Sequence, residues 1–193
     1  ADGVPGYPLI EAYLTGKELK TVAEIDASVS DLMTSARLYM YGLQFTYNPH
    51  RMILNRVTDV YLLDADGNRR ELEDDKLYRV VADLYSGQML SAVTKTSYGL
   101  LSVVPKKADG TPIENFEDVI LTDNGGELKA WTAIAHYMES FPDENGDGIA
   151  DIPQYYAGLH ERKVVDDSAN LVKLIKNPNK YAVMIAGVVL IVI

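Results

Sequence analysis

Residues Gly42 to Tyr85 read GLQFTYNPHRMILNRVTDVYLLDADGNRRELEDDKLYRVVADLY, and this stretch decides the fold of the chain. Apolar and polar residues alternate from Leu43 to Asn48, which predicts a half-buried strand that ends at the following proline. A β-rich run from Val57 to Leu63 predicts a second strand, and the residues of 64–68 are typical of a turn. A third strand is predicted from Leu77 to Tyr85.

Two helices can be located outside this stretch. Thr15 and Glu18 have the spacing of a capping box, which predicts a helix from Gly16 to about Ala27. Apolar residues recur every three or four positions from Glu127 to Phe141, which predicts a second helix with Trp131 on its buried face. Because strands with hairpins mix irregularly with helices, the sequence predicts an α+β fold with a mixed or antiparallel sheet.

The intervening segments carry weaker signals. Ser28 to Arg37 is predicted to be a loop or a short turn. Gly42 is expected to mark a bulge inside an extended run rather than a turn. A short helix is predicted from Ser86 to Thr96 and a strand from Tyr98 to Val104.

Composition limits the classes of function. The chain has 193 residues, 18 basic and 28 acidic side chains, and a net charge of −10. This balance argues against nucleic acid as a partner, because binding to phosphates requires clustered cations. The chain contains no cysteine, so it has neither a disulfide nor a thiolate metal site. Its histidines (His50, His136 and His160) lack the spacing of metal ligands and are expected at the surface.

The order of these pieces resembles the C-terminal domain of the 5'-nucleotidase family. In that family an "SG-x-x-(F/Y)-T-Y-(D/N)-P … NRV" strand pair precedes a "Y-x-V-(V/A)" strand, and "LTG-x-x-L" opens a helix. The strand-pair pattern matches Gly42 to Val57, and the "Y-x-V-(V/A)" pattern matches Tyr78 to Val81. The "LTG-x-x-L" pattern matches Leu14 to Leu19. The resemblance extends from about Tyr7 to Phe141.

This resemblance implies recognition of a nucleotide rather than catalysis. In the family, an N-terminal metallophosphoesterase domain holds two catalytic metals, and its "D-x-H", "G-N-H-(D/E)" and "G-H-(S/T)-H" motifs are absent here. The chain is therefore expected to have no catalytic residue and not to bind the metals of that domain.

The family's C-terminal domain holds the nucleobase between two aromatic rings, and Tyr85 falls at the position of the second ring. Packing at a strand end is the alternative role for Tyr85. The family's "GGDG" is replaced by Ser86 to Met89, and its first aromatic ring is expected to precede Ala1.

An acidic loop at 143–154 resembles the first half of a calcium-binding loop. Glycine permits the sharp turn of such a loop at Gly148. Oxygen ligands are expected from alternate positions, namely Asp143, Asn145, Asp147, the carbonyl of Ile149, and Asp151. Position 12 of the loop is Gln154 instead of the bidentate glutamate of an EF-hand, which predicts a weak, structural site. An acidic turn that binds nothing is the alternative.

The two ends suggest a piece of a longer protein. The chain opens on ADGVPGYP without a leader, and its last 13 residues, from Tyr181 to Ile193, carry no charge. A membrane helix needs about 20 apolar residues, so this run is interpreted as a truncated membrane anchor, with a buried terminal element as the alternative. The predicted organisation is a domain at 1–163, a helical linker at 164–180 and an anchor at 181–193.

Two hypotheses follow from the sequence. In the first, the chain is the nucleotide-recognition domain of an extracellular, membrane-anchored 5'-nucleotidase or related phosphoesterase. The resemblance implies the type that hydrolyses nucleoside phosphates, UDP-sugars or 2',3'-cyclic nucleotides. The expected partners are a nucleotide or nucleoside, the N-terminal catalytic domain and the membrane. In the second, it is a calcium-stabilised surface domain for interaction or spacing, without catalysis.

Overall fold

The computed structural model describes residues 2–30, 37–64, 66–96 and 101–192, which form two compact units. The first unit contains residues 2–14, 77–96 and 104–160, and the second contains residues 15–30, 37–64, 66–76, 101–103 and 161–192. The regular elements are, in chain order, β1 (Leu9–Thr15), α1 (Gly16–Val29), β2 (Leu43–Tyr47), β3 (Val57–Leu63), β4 (Arg69–Glu71), β5 (Leu77–Asp83), α2 (Leu84–Thr96), β6 (Thr122–Asp123), β7 (Gly126–Glu127), α3 (Ala130–Glu139), β8 (Lys163–Val165), α4 (Leu171–Ile175) and α5 (Lys180–Val192).

The second unit is built on a mixed sheet with the strand order β4-β3-β2-β8. β2 pairs antiparallel with β3 and parallel with β8, and Phe45 of β2 lies opposite Val60 of β3. Both residues are buried, so the predicted alternation of β2 is confirmed. The α+β class with a mixed sheet is confirmed as well.

The bulge predicted at Gly42 is wrong. Gly42 lies before β2 with a φ of +81°, a left-handed conformation that glycine adopts without steric cost. Its carbonyl accepts a hydrogen bond from the amide of Leu63 at 2.9 Å and so closes the open end of the hairpin. The irregularity in this strand pair lies instead between Thr46 and Tyr47.

Helix α1 begins at the predicted capping box. The amide of Glu18 donates to Oγ1 of Thr15 at 3.2 Å, and Oε2 of Glu18 accepts from the amide of Thr15 at 2.8 Å. The next amides also have partners, because Gly16 donates to the carbonyl of Lys76 at 3.1 Å and Lys17 to that of Asp74 at 3.0 Å. The helix therefore starts against the turn that leads into β5.

A buried carboxylate links α1 to the N-R-V part of the sequence motif. Glu24 is 4% exposed, and its two oxygens accept from the amides of Arg56 and Val57 at 2.9 Å each. A third bond comes from the hydroxyl of Ser28 at 2.6 Å. Since these amides start β3, Glu24 fixes the sheet against the helix.

The first unit contains β1 and β5, which pair with each other, and α2, which follows β5 directly. The inward residues of β1 are buried: Ile10, Ala12 and Leu14. The amide of Leu9 donates to the carbonyl of Leu128 at 2.8 Å, which attaches the segment before α3 to this strand. Helix α2 confirms the helix predicted over 86–96.

Two other predictions concern segments that the structure describes only in part. The loop predicted over 28–37 falls partly on 31–36, and the strand predicted over 98–104 falls partly on 98–100; both parts lie outside the described residues. Of the remainder, Ser28 and Val29 belong to α1, and 101–103 form no strand.

The last segment of the chain contains α4 and α5. Oδ1 of Asn179 accepts from the amides of Tyr181 and Ala182 at 3.0 Å each, which caps the start of α5. Both of these residues are buried, whereas Val183 and Val188 are more than half exposed. Among the residues that the structure describes, no helix has both the length and the apolar character needed to cross a membrane. The predicted boundaries at 163 and 180 stay predictions.

Candidate functional site

Two tyrosine rings form an exposed aromatic pair in the first unit. Tyr85 lies at the start of α2, and Tyr7 lies just before β1. Their ring centroids are 5.7 Å apart with an interplanar angle of 42°, and the residues are 44% and 60% exposed. Both rings therefore keep a large part of their surface accessible to a ligand.

The pair is a continuous surface rather than an open slot. A planar ligand held between two rings needs them about 7 Å apart, twice the ~3.5 Å contact distance of carbon atoms. At 5.7 Å and a tilt of 42° the rings contact each other instead. A flat ligand therefore stacks on an outward ring face, or enters between the rings after one of them turns.

Tyr85 is held by the junction of β5 and α2. Asp83 accepts from the amide of Ser86 at 2.9 Å and from its hydroxyl at 2.7 Å, so it caps the helix. A Cβ on Gly87 would lie 2.4 Å from Cδ1 of Ile10. Glycine at this position thus lets α2 approach β1 closely.

Tyr7 is held by the start of α3. The carbonyl of Tyr7 accepts from the amide of Ala130 at 3.0 Å, and the carbonyl of Pro5 accepts from Nε1 of Trp131 at 3.1 Å. Gly6 has a φ of +118° and leaves room for the Trp131 ring, which would be 2.9 Å from a Cβ.

The prediction that Trp131 lies in the core is wrong, because the residue is 54% exposed. The period of α3 identified an apolar face, but nothing in the described part of the first unit covers that face completely. The indole instead fastens the segment that carries Tyr7.

A buried lysine fastens the same segment. Lys129 is 3% exposed and forms ion pairs with Asp2, at 3.1 Å, and with Glu127. Glu127, followed by Asp2, holds the pKa of Lys129 above its ordinary value. Because both carboxylates compensate the cation, this cluster orders residues 2–5 and is not available to a ligand.

Tyr7 was not among the candidate site residues predicted from the sequence. The two tyrosines are 78 positions apart in the sequence and meet because β1 pairs with β5. The local sequence, Gly6-Tyr7-Pro8 before an alternating strand, does not by itself identify Tyr7 as an exposed ring of a site. The residue can be recognised only when the pairing of β1 with β5 is known.

The acidic loop at 143–151 folds onto its own backbone. Oδ1 of Asp143 accepts from the amide of Gly146 at 2.7 Å, and Oδ2 accepts from the amide of Gly148 at 2.9 Å. These bonds, that of Gly148 foremost, hold the pKa of Asp143 below its ordinary value. Both glycines have a positive φ, +77° and +87°, so the turn requires them.

The remaining predicted ligands join the same network. Oδ1 of Asn145 accepts from the amide of Asp147 at 2.9 Å, and Oδ1 of Asp147 accepts from the amide of Ile149 at 2.9 Å. Asp151 accepts from the amide of Glu144 at 2.8 Å and from Nδ2 of Asn145 at 3.2 Å. Within the described ranges, no group of three or more His, Cys, Asp or Glu side chains is arranged to hold a metal ion.

Comparisons with known proteins relate the chain to one family. Residues 6–93 match the family model of the 5'-nucleotidase C-terminal domain. The structure is similar to that of a 5'-nucleotidase precursor from Thermus thermophilus, with a TM-score of 0.51 and 20% identity over 83% of this chain. This likeness shows a shared fold. No curated protein sequence matches the chain.

A second solved structure is less similar. The NAD nucleotidase of Haemophilus influenzae aligns with 42% of this chain at 26% identity, and the TM-score of 0.37 is too low to carry an argument. The chain spans 25% of the Thermus protein and 15% of the Haemophilus protein.

Proposed function

Since residues 6–93 belong to the 5'-nucleotidase C-terminal domain family, we propose that this chain recognises the nucleoside part of a nucleotide for a 5'-nucleotidase. The catalytic metals would be held by another domain of the parent protein. The observation that carries this proposal is the exposed pair of Tyr7 and Tyr85 within the matched domain. Stacking of a base on an aromatic side chain contributes about 1–3 kcal/mol and tolerates every base.

Specificity for one base is expected to be low. The "GGDG" that supplies an aspartate in the family is replaced by Ser86 to Met89, and Asp83 already uses both of its oxygens to bind Ser86. With stacking as the main attraction, the domain would accept purine nucleosides in general and bind them weakly.

Because we assign catalysis to a separate metal-binding domain, this chain alone should have no phosphatase activity. We expect the 193-residue chain to release no phosphate from AMP in the presence of Mn²⁺, Mg²⁺ or Zn²⁺, because its described residues hold no cluster of metal ligands. A phosphate-release assay measures this. Turnover that depends on added metal and disappears with a chelator would contradict the proposal.

We place the parent enzyme at the cell surface, anchored through the chain segment that contains α5. Support comes from the uncharged sequence of 181–193 and from its exposed apolar side chains, among them Val183 and Val188. Vesicle flotation tests the assignment: the full chain should float with lipid, and a chain that ends at Asn179 should not. Equal flotation of the two chains would contradict the assignment of this segment as a membrane anchor.

A calcium-stabilised spacer is the second candidate function, favoured by the shape of the loop at 143–151. Its side-chain oxygens alternate along a turn that the Asp143 carboxylate already closes through backbone amides. Without a glutamate at position 12, affinity in the range of extracellular modules, Kd about 10⁻⁴–10⁻³ M, is expected.

Calcium should therefore stabilise the chain measurably. At 10 mM calcium and a Kd of about 1 mM, the gain is about 1.4 kcal/mol, which corresponds to a few degrees in melting temperature. Asp143→Ala should abolish this shift, whereas Asp75→Ala, an exposed aspartate of the second unit, should retain it. Identical melting of the wild type with and without calcium would exclude the site.

A further inference from the structure

A cavity of about 240 Å³ lies in the second unit, between the loop after β2 and the segment that follows β8. Its lining includes Asn48, Arg51, Thr58, Asp166, Lys173 and Lys176. The loop and the segment are joined beside it by a bond from Nδ2 of Asn48 to the carbonyl of Ser168, at 2.8 Å. All of its lining residues belong to the second unit, whereas the residues of both candidate sites belong to the first.

Arg51 is a buried cation without a counter-charge among the described residues. The residue is only 6% exposed. Its Nε donates to the carbonyl of Asn55 at 2.6 Å, Nη1 to that of Lys173 at 2.9 Å, and Nη2 to those of Lys176 and Asn177 at 3.0 and 3.4 Å.

The missing counter-charge is unusual. In the part of the chain that the structure describes, no carboxylate forms an ion pair with Arg51. Buried charges are normally paired, because removal from water is costly for an isolated ion. The guanidinium has five N–H groups, and the four bonds above leave one of them, on Nη1, for another acceptor.

Two lysines add to the positive charge of the cavity. Nζ of Lys173 lies 3.2 Å from Oδ2 of Asp166, whereas Lys176 has no ion pair among the described residues. The lining therefore presents three cations against one carboxylate, in a chain whose net charge is −10. This local excess is the opposite of the charge of the protein as a whole.

We propose that this cavity binds a phosphate group, either free phosphate or the phosphate of a lipid headgroup. A tetrahedral dianion matches the excess of two positive charges, and guanidinium and ammonium groups donate to phosphate oxygens in strong charge-assisted bonds. Among the polar lining residues, Nδ2 of Asn48 carries a second hydrogen beside the one given to Ser168, whereas the hydroxyl of Thr58 already donates to the carbonyl of Thr46 at 3.2 Å. The cavity volume of about 240 Å³ is large enough for a phosphate ion, because it is several times the roughly 30 Å³ that one water molecule occupies in the liquid.

Phosphate in this cavity would contact both the β2–β3 loop and the segment at 166–177. Binding would therefore tighten the attachment of the final segment to the sheet. The inference does not depend on nucleoside recognition, because all of its residues belong to the second unit.

Calorimetric titration of the full chain with sodium phosphate, at constant ionic strength set by chloride, tests the proposal. Lys176→Ala should weaken phosphate binding about tenfold, the effect of losing one charge-assisted hydrogen bond. Lys107→Ala, a lysine of the first unit outside the cavity, should bind phosphate as the wild type does. Absence of saturable heat in the wild type, or equal affinity of Lys176→Ala, would overturn the proposal.

A second measurement needs no variant. The Nε–H resonance of Arg51 should shift on addition of phosphate and not on addition of chloride; an unchanged resonance at saturating phosphate would also overturn the proposal. Dihexanoyl phosphatidic acid, which is soluble, separates the two sources. If this lipid binds more tightly than inorganic phosphate, the natural ligand is a lipid headgroup. If phosphate binds and the lipid binds more weakly or not at all, the natural ligand is free phosphate.

Discussion

Gly16→Ala is expected to destabilise the second unit by about 3 kcal/mol, at the upper end of the cost of an overpacked site. A Cβ on Gly16 would lie 2.3 Å from the carbonyl oxygen of Glu73, and a backbone atom cannot turn away as a side chain can. The glycine also brings its amide to the carbonyl of Lys76. Urea unfolding at equilibrium measures the loss.

Gly187→Ala is the matched control. Gly187 lies inside α5 and a Cβ there would have no atom within 4 Å. Alanine should stabilise this helix by up to about 1 kcal/mol. If both variants unfold at the wild-type urea concentration, the close approach of α1 to the turn at 73–76 does not exist.

Tyr85→Ala is expected to weaken adenosine binding about 5- to 100-fold, the equivalent of the roughly 1–3 kcal/mol contributed by one stacked base. The ring is exposed and lies at the start of α2, so its removal should leave the fold intact. Isothermal titration calorimetry with adenosine measures the change. Adenosine is the preferred probe because it carries no phosphate, the group proposed to bind in the cationic cavity of the second unit.

Two further variants define the site. Tyr7→Ala should also weaken adenosine binding, and the double variant should lose less than the two single losses combined, because the rings contact each other at 5.7 Å. Tyr41→Ala removes a tyrosine that is 85% exposed in the second unit and should change nothing. Full affinity in Tyr85→Ala would remove this residue from the site.

Local patterns predicted the elements whose causes are local. The capping box of Thr15 and Glu18 and the alternation of β2 are each set by residues within a few positions of one another. The hairpin of β2 with β3 joins residues that are at most 19 positions apart. All of these elements lie within residues 6–93, which match the family model of the 5'-nucleotidase C-terminal domain.

The features missed from the sequence depend on distant contacts. Tyr7 reaches Tyr85 through the pairing of β1 with β5, and Arg51 meets carbonyls more than 120 positions away. Trp131 lies on the apolar face predicted for α3, yet periodicity cannot say whether other residues cover that face. In each case the chemistry of the residue was visible and its surroundings were not.

Calorimetry of the wild-type protein with adenosine is the decisive test of nucleoside recognition by this chain. We expect saturable, weak binding with one site per chain, which Tyr7→Ala and Tyr85→Ala each reduce. A titration without saturable heat, in a protein whose melting shows that it is folded, would contradict it.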